Sequence, residues 1–581
     1  MDLTINPAML APAAADAVPD NRGANLFEAD PRYADLLALY LEPALHAHLL
    51  PHLKRLGVLA GDALDQLAST ADKNPPVLHY RDRGGFDREW LEKHPAYVEM
   101  ERLAYGEFGL AAMSHRAGIL GWEEPLPPLA KYALTYVFVQ AEFGLCCPLS
   151  MTDSLTRTLR KFGAPELVAR YLPGLVTTDM DQLIQGSMFI TEQGAGSDVG
   201  AVTTIARADG EAWKLYGDKW FCSNADAGLA LVLARPEGGV PGTRGLGLFL
   251  LPRVLPDGSA NRFRIIRLKD KLGSRDMASG EIRMEGATAY LVGELGRGFS
   301  HMTDMINSSR LSNGVRAAGM MRRALTDALH LARNRQAFGR SLIDLPLMRR
   351  QLLKLMLPAE QARSVFMLTA IELAKADQGD EQARRRVRIL TPLIKFRACR
   401  DARRATGDAM EVRGGCGYIE EWSDPRLVRD AHLGSIWEGT SNIVALDVMR
   451  SIRREQSLEA LHADLKERAQ RTGVLRGRLN TALERSVSLA GSAAAGKNDM
   501  LARQAASALY RVTAAVVMAE EAALLDQDAR RALLASLVLE HHVESRDPLA
   551  EADTAREAEI AKALLDEQPL APRLAERLIE R

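Results

Sequence analysis

Ser435-Ile-Trp-Glu-Gly-Thr-Ser-Asn442 sets one carboxylate, Glu438, between bulky apolar residues and a Gly-Thr-Ser turn. Packing against Ile436 and Trp437 is expected to raise the carboxyl pKa towards neutrality, because desolvation disfavours the charged form. A general base works best with its pKa near the working pH. Gly439 lets the backbone approach a ligand closely, and Thr440 and Asn442 can hydrogen-bond one. An ordinary loop glutamate between two helices reads the same way where Glu-Gly-Thr stands alone, so the surrounding chain has to decide.

Helical spacing flanks this stretch on both sides. It runs from Met302 to about Arg454, and again from Leu458 to the end with a break near residues 491–496. Further upstream, Tyr33 to about Leu183 is also helical, interrupted by a long loop from Lys73-Asn-Pro-Pro to Arg83-Gly-Gly. Between these regions the period changes. Leu215–Ser223, Leu229–Ala234, Gly245–Leu251, Phe263–Leu268 and Gly280–Met284 read as strands separated by Gly, Pro, Asp and Asn turns. A compact, mostly antiparallel β region follows from that spacing. Helices, then strands, then helices argue for an α+β fold rather than a doubly wound sheet. The expected segments are a flexible arm (1–30), an N-terminal helical domain (31–184), a middle β domain (185–297), a helical bundle (298–455) and a helical extension (456–581).

The totals exclude several classes. With 581 residues, 47% hydrophobic, the chain can bury large cores in three or four domains. Its 74 Lys+Arg against 75 Asp+Glu leave no global field to draw it to nucleic acid or membrane. Five cysteines without metal-type spacing read as reduced and intracellular. No signal peptide and no apolar run of about 18 residues is seen, so a cytoplasmic, non-membrane protein without a metal site is expected.

Other stretches carry polar ligand chemistry. Thr191-Glu-Gln-Gly-Ala-Gly-Ser-Asp198 offers backbone N–H groups and hydroxyls at Thr191, Gly196 and Ser197, although a Gly-rich turn before a strand would look alike. It precedes no helix, which excludes a dinucleotide-binding or P-loop reading of the usual kind. Lys219-Trp-Phe-Cys-Ser-Asn224 adds Phe221 and Ser223, an aromatic and a hydroxyl at alternating positions. Arg335-Gln-Ala-Phe-Gly339 places a guanidinium and Phe338 three residues apart, as on one helical face, and arginine suits phosphate. Gly414-Gly-Cys-Gly-Tyr418 is a further glycine cluster, which as a plain loop would need no ligand.

In this order and spacing the segments resemble the acyl-CoA dehydrogenase family over roughly residues 30–455. Within it the chain is most similar to the AidB-type branch associated with the bacterial response to DNA alkylation. Asn25-Leu-Phe, Cys147-Pro-Leu-Ser-Met-Thr, Leu250-Leu-Pro-Arg-Val-Leu-Pro-Asp-Gly and Arg267-Leu-Lys-Asp-Lys-Leu-Gly carry that narrower likeness. The resemblance implies a barrel-like middle domain, a C-terminal four-helix bundle, and FAD between them in a homotetramer or homodimer. It implies that Glu438 is the base of an acyl-CoA α,β-dehydrogenation, with electrons leaving to an electron-transfer flavoprotein or another acceptor. It further implies FAD contacts from Thr191, Gly196, Ser197, Phe221, Ser223, Arg335, Phe338, Gly414, Gly415, Thr440 and Asn442, and substrate contacts from Arg310 and Gly439. Arg335, Phe338 and the glycine pair would serve a neighbouring subunit's cofactor.

Departures are visible. Phe221 and Ser223 replace the usual Trp and Thr, Pro346 and Glu411 replace common glutamines, and Asn307-Ser-Ser replaces an acid that holds substrate.

The same resemblance raises a second class, a flavoprotein that binds double-stranded DNA. Residues 456–581 hold 17 Lys+Arg and 20 Asp+Glu, so the extension as a whole is no phosphate-binding module. Arginines do cluster at 450, 453, 454, 468, 471, 476 and 478. Residues 384–404 also hold nine Lys/Arg against Asp401 alone. Such clusters make phosphate contacts when oligomerisation joins them into a groove. A solvated helix face, a site for CoA or FAD phosphates, and an extension that only fixes oligomer contacts remain alternatives.

Overall fold

Proline at the first helical position, where its missing N–H costs nothing, opens four helices of the N-terminal region, at Pro43, Pro95, Pro128 and Pro165. A computed structural model describes residues 18–30, 32–496, 498–525 and 527–580. Its first helices are α1 (Tyr33–Tyr40), α2 (Pro43–Gly61) and α3 (Ala63–Lys73). The stretch expected as a long loop is instead half a hairpin, β1 (Val77–Arg81) with β2 (Asp87–Glu92). Its alternation was masked because both faces are largely exposed, and the hairpin is held from outside. His79 stacks on Trp90, and Glu89 accepts hydrogen bonds from Arg253 and the Ile265 N–H of the β domain. Helices α4 (Pro95–Glu101), α5 (Pro128–Phe138), α6 (Cys146–Phe162) and α7 (Pro165–Leu175) complete the domain.

The middle domain contains β3 (Gly186–Phe189), β4 (Ile205–Asp209), β5 (Ala212–Ser223), β6 (Leu229–Pro236), β7 (Gly247–Pro252), β8 (Phe263–Leu268) and β9 (Ser279–Leu291). The strand order is β3-β6-β4-β5-β9-β7, with β8 on β9, and the β6–β7 pairing gives the sheet its barrel-like closure. The parallel pairings of the sheet are those of β6 with β3 and with β4. Its run Leu229–Ala234 is buried on both faces, which is why it reads as continuous apolar sequence rather than as alternation. Phe189, Val232, Phe249, Ile265 and Ile282 form a core of the domain's own.

Helices α8 (Gly298–Asn334), α9 (Pro346–Asp377), α10 (Glu381–Arg413), α11 (Ser423–Gly434) and α12 (Ser441–Glu455) make the bundle, with α10 against each of the others. The extension is α13 (Ser457–Ala469), α14 (Arg476–Ala495), α15 (Ala502–Leu524), α16 (Arg530–His542), α17 (Thr554–Leu565) and α18 (Pro572–Glu580). One continuous apolar core joins the N-terminal helices, the bundle and the extension.

The expected flexible arm needs correction where it is described, while residues 1–17 lie outside the described residues. From Val18 to Asp30 the arm is docked. Leu26 and Phe27 are buried, and Asn21 donates to Asp327. The buried Asp30 carboxylate accepts from Arg363 at 2.5 Å and lies 3.6 Å from Arg322. Arg363 and Arg531 also meet Glu360, and Arg531 meets Glu521 at 2.6 Å. This buried ionic network ties arm, bundle and extension together. Among the described residues no helix is long and apolar enough to cross a membrane.

Candidate active site

The short loop between α11 and α12 carries Glu438 with φ +53° and Gly439 with φ +98°. A glutamate in the left-handed region costs about 1–3 kcal/mol and persists only where its surroundings dictate it. Four side chains do so here. Ser309 and Asn313, one turn apart on α8, each donate to one Glu438 carboxylate oxygen, Asn313 at 2.7 Å. Arg310 Nε reaches the Glu438 carbonyl at 3.4 Å, and Lys395 of α10 donates to the Gly439 carbonyl. Burial pulls the Lys395 ammonium down to about 8, against the opposing pull of Cys399 and Glu438. With both carbonyls held inward, the Glu438 and Gly439 N–H groups have no backbone acceptor among the described residues.

Two expectations change at this loop. Ile436 is 57% exposed and does not bury the carboxylate. Trp437 alone turns in, stacking on Phe143 with ring centroids 5.7 Å apart, and Arg316 lies over both rings. The interior side of Glu438 is therefore filled, and its carboxylate is held by donors rather than by apolar packing. Arg310, expected at the substrate, is only 7% exposed and pairs with Asp447 of α12 at 2.5 Å. It braces the loop from behind. Asn313 was not singled out in the sequence, because an asparagine inside a long helix carries no motif of its own.

The β-domain residues form a second cluster. Strand β5 places Phe221 and Ser223 on one face, and the Trp220 N–H donates to the Thr191 carbonyl at 2.8 Å. Thr191 is thereby held beside the strand that carries Phe221 and Ser223, and Gly196 and Ser197 follow the turn closed by the Glu192–Ala195 bridge. A register shift in the β5–β9 pairing between Lys219 and Cys222 pushes Phe221 outward to 58% exposure. Lys269 sits over the Trp220 and Phe221 rings. The glycine turn stays open: a Cβ at Gly194 or Gly196 would meet nothing within 4 Å.

What fixes that turn is Glu192, another residue the sequence did not single out. It accepts from Thr203, Thr204 and the buried Lys219, the last at 2.8 Å. Burial opposes the charge on Glu192, but Lys219 and the hydroxyls prevail and hold its pKa at about 2. That stabilisation is present at neutral pH and is lost as pH falls from the ordinary carboxylate range towards about 2. Replacing Lys219 with Met leaves a buried, unpaired carboxylate, so a loss of about 3–5 kcal/mol is expected. Thermal unfolding of the variant measures it; an unchanged midpoint would refute the anchoring role.

The remaining candidates lie on other elements. Arg335 and Phe338 do not share a helical face as expected, because α8 ends at Asn334. They belong to a two-residue hairpin, β10 (Gln336–Ala337) with β11 (Arg340–Ser341). Positive φ at Phe338 and Gly339 makes its turn, and Phe338 is 90% exposed at the tip. Gly414 and Gly415 follow α10, again with open space where a Cβ would stand. Thr440 and Asn442 are exposed at the start of α12. Exposed aromatic rings and open glycine turns suit a planar, phosphate-bearing ligand such as a flavin dinucleotide.

Comparison with known proteins follows the same division of the chain. Residues 16–182 match the adaptive response protein AidB N-terminal domain, 187–287 the acyl-CoA dehydrogenase middle domain, and 296–453 the acyl-CoA dehydrogenase C-terminal domain. The putative acyl-CoA dehydrogenase AidB of Escherichia coli (strain K12) is 34% identical over 403 residues, 67% of this chain and 71% of its own length. Acyl-CoA dehydrogenase family member 11 of Caenorhabditis elegans is 28% identical, covering 75% of this chain and 72% of its own. The crystal structure of Caenorhabditis elegans ACDH-11 in complex with C11-CoA superposes with a TM-score of 0.82 at 24% identity, over 99% of this chain and 98% of that one.

Proposed function

The chain belongs to the acyl-CoA dehydrogenase family, and from that premise we propose that it is an FAD-dependent enzyme oxidising an acyl-CoA thioester to its 2-enoyl form. The observation that carries the proposal is the Glu438 loop: a carboxylate fixed by Ser309 and Asn313 beside a backbone N–H left without an internal acceptor. Glu438 takes the α-proton of the thioester. The two α8 donors fix the carboxylate's position, which an oriented base requires. The Glu438 N–H is placed to receive the thioester oxygen as negative charge develops there. Bound FAD would supply the hydride acceptor for the β-carbon, with an external acceptor such as an electron-transfer flavoprotein taking the electron pair. Thr191, Gly196, Ser197, Phe221, Ser223, Thr440 and Asn442 would hold the FAD. Half-buried Arg335 and the exposed Phe338, Gly414 and Gly415, on the hairpin and the α10 end, would complete a partner subunit's site in a homotetramer or homodimer.

The fate of the basic stretches favours this reading over duplex DNA binding. In α10, Arg384 and Arg385 pair with Glu381, Arg386 with Glu372, Arg388 with Asp447, Arg397 with Asp401 and Arg404 with Asp408. In the extension, Arg468 and Arg471 meet Glu520, and Arg478 meets Glu544. Most charges of these stretches are thus paired within the chain, and paired charges release few counterions from DNA. The test is product analysis: incubate the protein with short, branched and long acyl-CoAs and an artificial electron acceptor. The expected product is lighter than its substrate by two hydrogens. No such product from any acyl-CoA, with FAD bound, would refute the proposal.

A further inference from the structure

A cleft of about 1040 Å³ opens between α9 and α10 of the bundle and α15, α16 and α17 of the extension. That is the size of a ligand site, whereas protein interiors otherwise pack with few voids. None of the residues that hold the Glu438 loop lines it. Its floor is apolar: Leu357, Leu537 and Ile560 are buried and Leu353 is half-buried.

Charged side chains crowd the rim, and most of them are spent on one another or on neighbours. Asp401 pairs with Arg397, Asp408 with Arg404, Glu540 with Arg556, Glu544 with Arg478 and Glu557 with Arg350. The acids outside these pairs all stand on the exposed segment after α16. Asp547 and Asp553 there accept the Leu549 and Arg556 backbone N–H groups, and Glu551 faces solvent. The helices themselves are left with cations. Arg511 of α15 and Lys354 of α9 form no ion pair among the described residues. Arg511 is half-buried, and it donates at 3.1 Å to the His542 carbonyl, which neutralises nothing. Burial, then the nearby charge of Arg397, pull its pKa below the ordinary value, against the opposing pull of Asp401. A partly desolvated cation without a counter-charge is costly unless an anion completes it.

An apolar floor under unpaired cations is complementary to an alkyl chain that ends in an anion. A guanidinium fork matches the two oxygens of a carboxylate. We propose that this cleft binds a fatty carboxylate, with its head on Arg511 and Lys354 and its chain along Leu353, Leu357, Leu537 and Ile560. The extension thereby gains a role, since α15, α16 and α17 supply one wall of the cleft and the buried cation. The site is separate from the base loop, and its occupancy does not depend on the dehydrogenase reading.

The experiment is titration calorimetry of the purified full-length protein, as isolated, with decanoate, with decanol as the uncharged comparison and with decanoyl-CoA. Arg511→Gln and Lys354→Gln are compared with Arg485→Gln, which removes an exposed cation outside the cleft. Wild-type protein is expected to bind decanoate saturably and decanol at least about tenfold more weakly. Each of the first two variants is expected to lose about tenfold in affinity for decanoate, the size of one charged hydrogen bond. Neither should lose affinity for decanol, and Arg485→Gln should lose none for either ligand. Lys354 is exposed and unpaired, so its variant tests the site even where Arg511→Gln does not fold. Decanoate that does not bind, that binds no better than decanol, or that binds Lys354→Gln as it binds the wild type would overturn the proposal. So would a loss confined to decanoyl-CoA, which would move the two cations to the substrate path. The titration reads binding and not turnover, so its failure and that of the dehydrogenase reading are distinguishable.

Discussion

Glu438→Gln is expected to lower acyl-CoA oxidation by about 10³-fold or more, within the range for removal of a positioned general base. The substitution keeps size and shape: the amide oxygen can accept from Asn313, while the amide NH2 can donate to the Ser309 hydroxyl oxygen, which then acts as acceptor. What it removes is the negative charge that takes a proton. Because the loop conformation depends on Arg310, Lys395 and the two positive φ values rather than on that charge, the variant should fold and bind ligands as the wild type does. Single-turnover kinetics under anaerobic conditions separate the two effects. A rate within tenfold of wild type would remove Glu438 from the base role.

The second large effect is structural. Glu360, buried in α9, meets Arg363 of its own helix and Arg531 of the extension at 2.6 Å, with Arg530 3.5 Å away. Burial opposes its charge, but these arginines outweigh burial and hold its carboxyl well below the usual range. Glu360→Gln leaves cations buried with too few counter-charges, a change of about 3–5 kcal/mol. Thermal unfolding and limited proteolysis between bundle and extension measure it. The same network gives an acid limit: Asp30 and Glu360, both held below the ordinary carboxylate range by their arginines against burial, contribute stability that is present above that range and lost as pH falls through their lowered values. A variant as stable as wild type would show that the network does not hold the extension.

Periodicity made the helix–strand–helix order and five of the seven middle-domain strands legible, because each is half-buried or bounded by turn residues. β3 and β4 escaped because four or five residues are too short for a period to register. The β1–β2 hairpin escaped because its residues face solvent, and its stability comes from contacts such as Glu89 with Arg253, distant in sequence. Motif spacing made Glu438 and the glycine turns legible. It could not reveal that Asn313, Lys395 and Glu192 hold them, since single polar residues in a helix or strand gain meaning only from neighbours brought in by folding. Arg310 illustrates the converse. Its position relative to the loop was legible, but its partner Asp447 lies far along the chain, so its bracing of the loop was not.

The central claim is tested most directly by the visible spectrum of the purified protein, recorded anaerobically while short, branched and long acyl-CoAs are added in turn. The expected result is a yellow protein whose flavin band bleaches with at least one of them. A flavin-loaded protein that no acyl-CoA bleaches, or a colourless one that cannot be reconstituted with FAD, would contradict it.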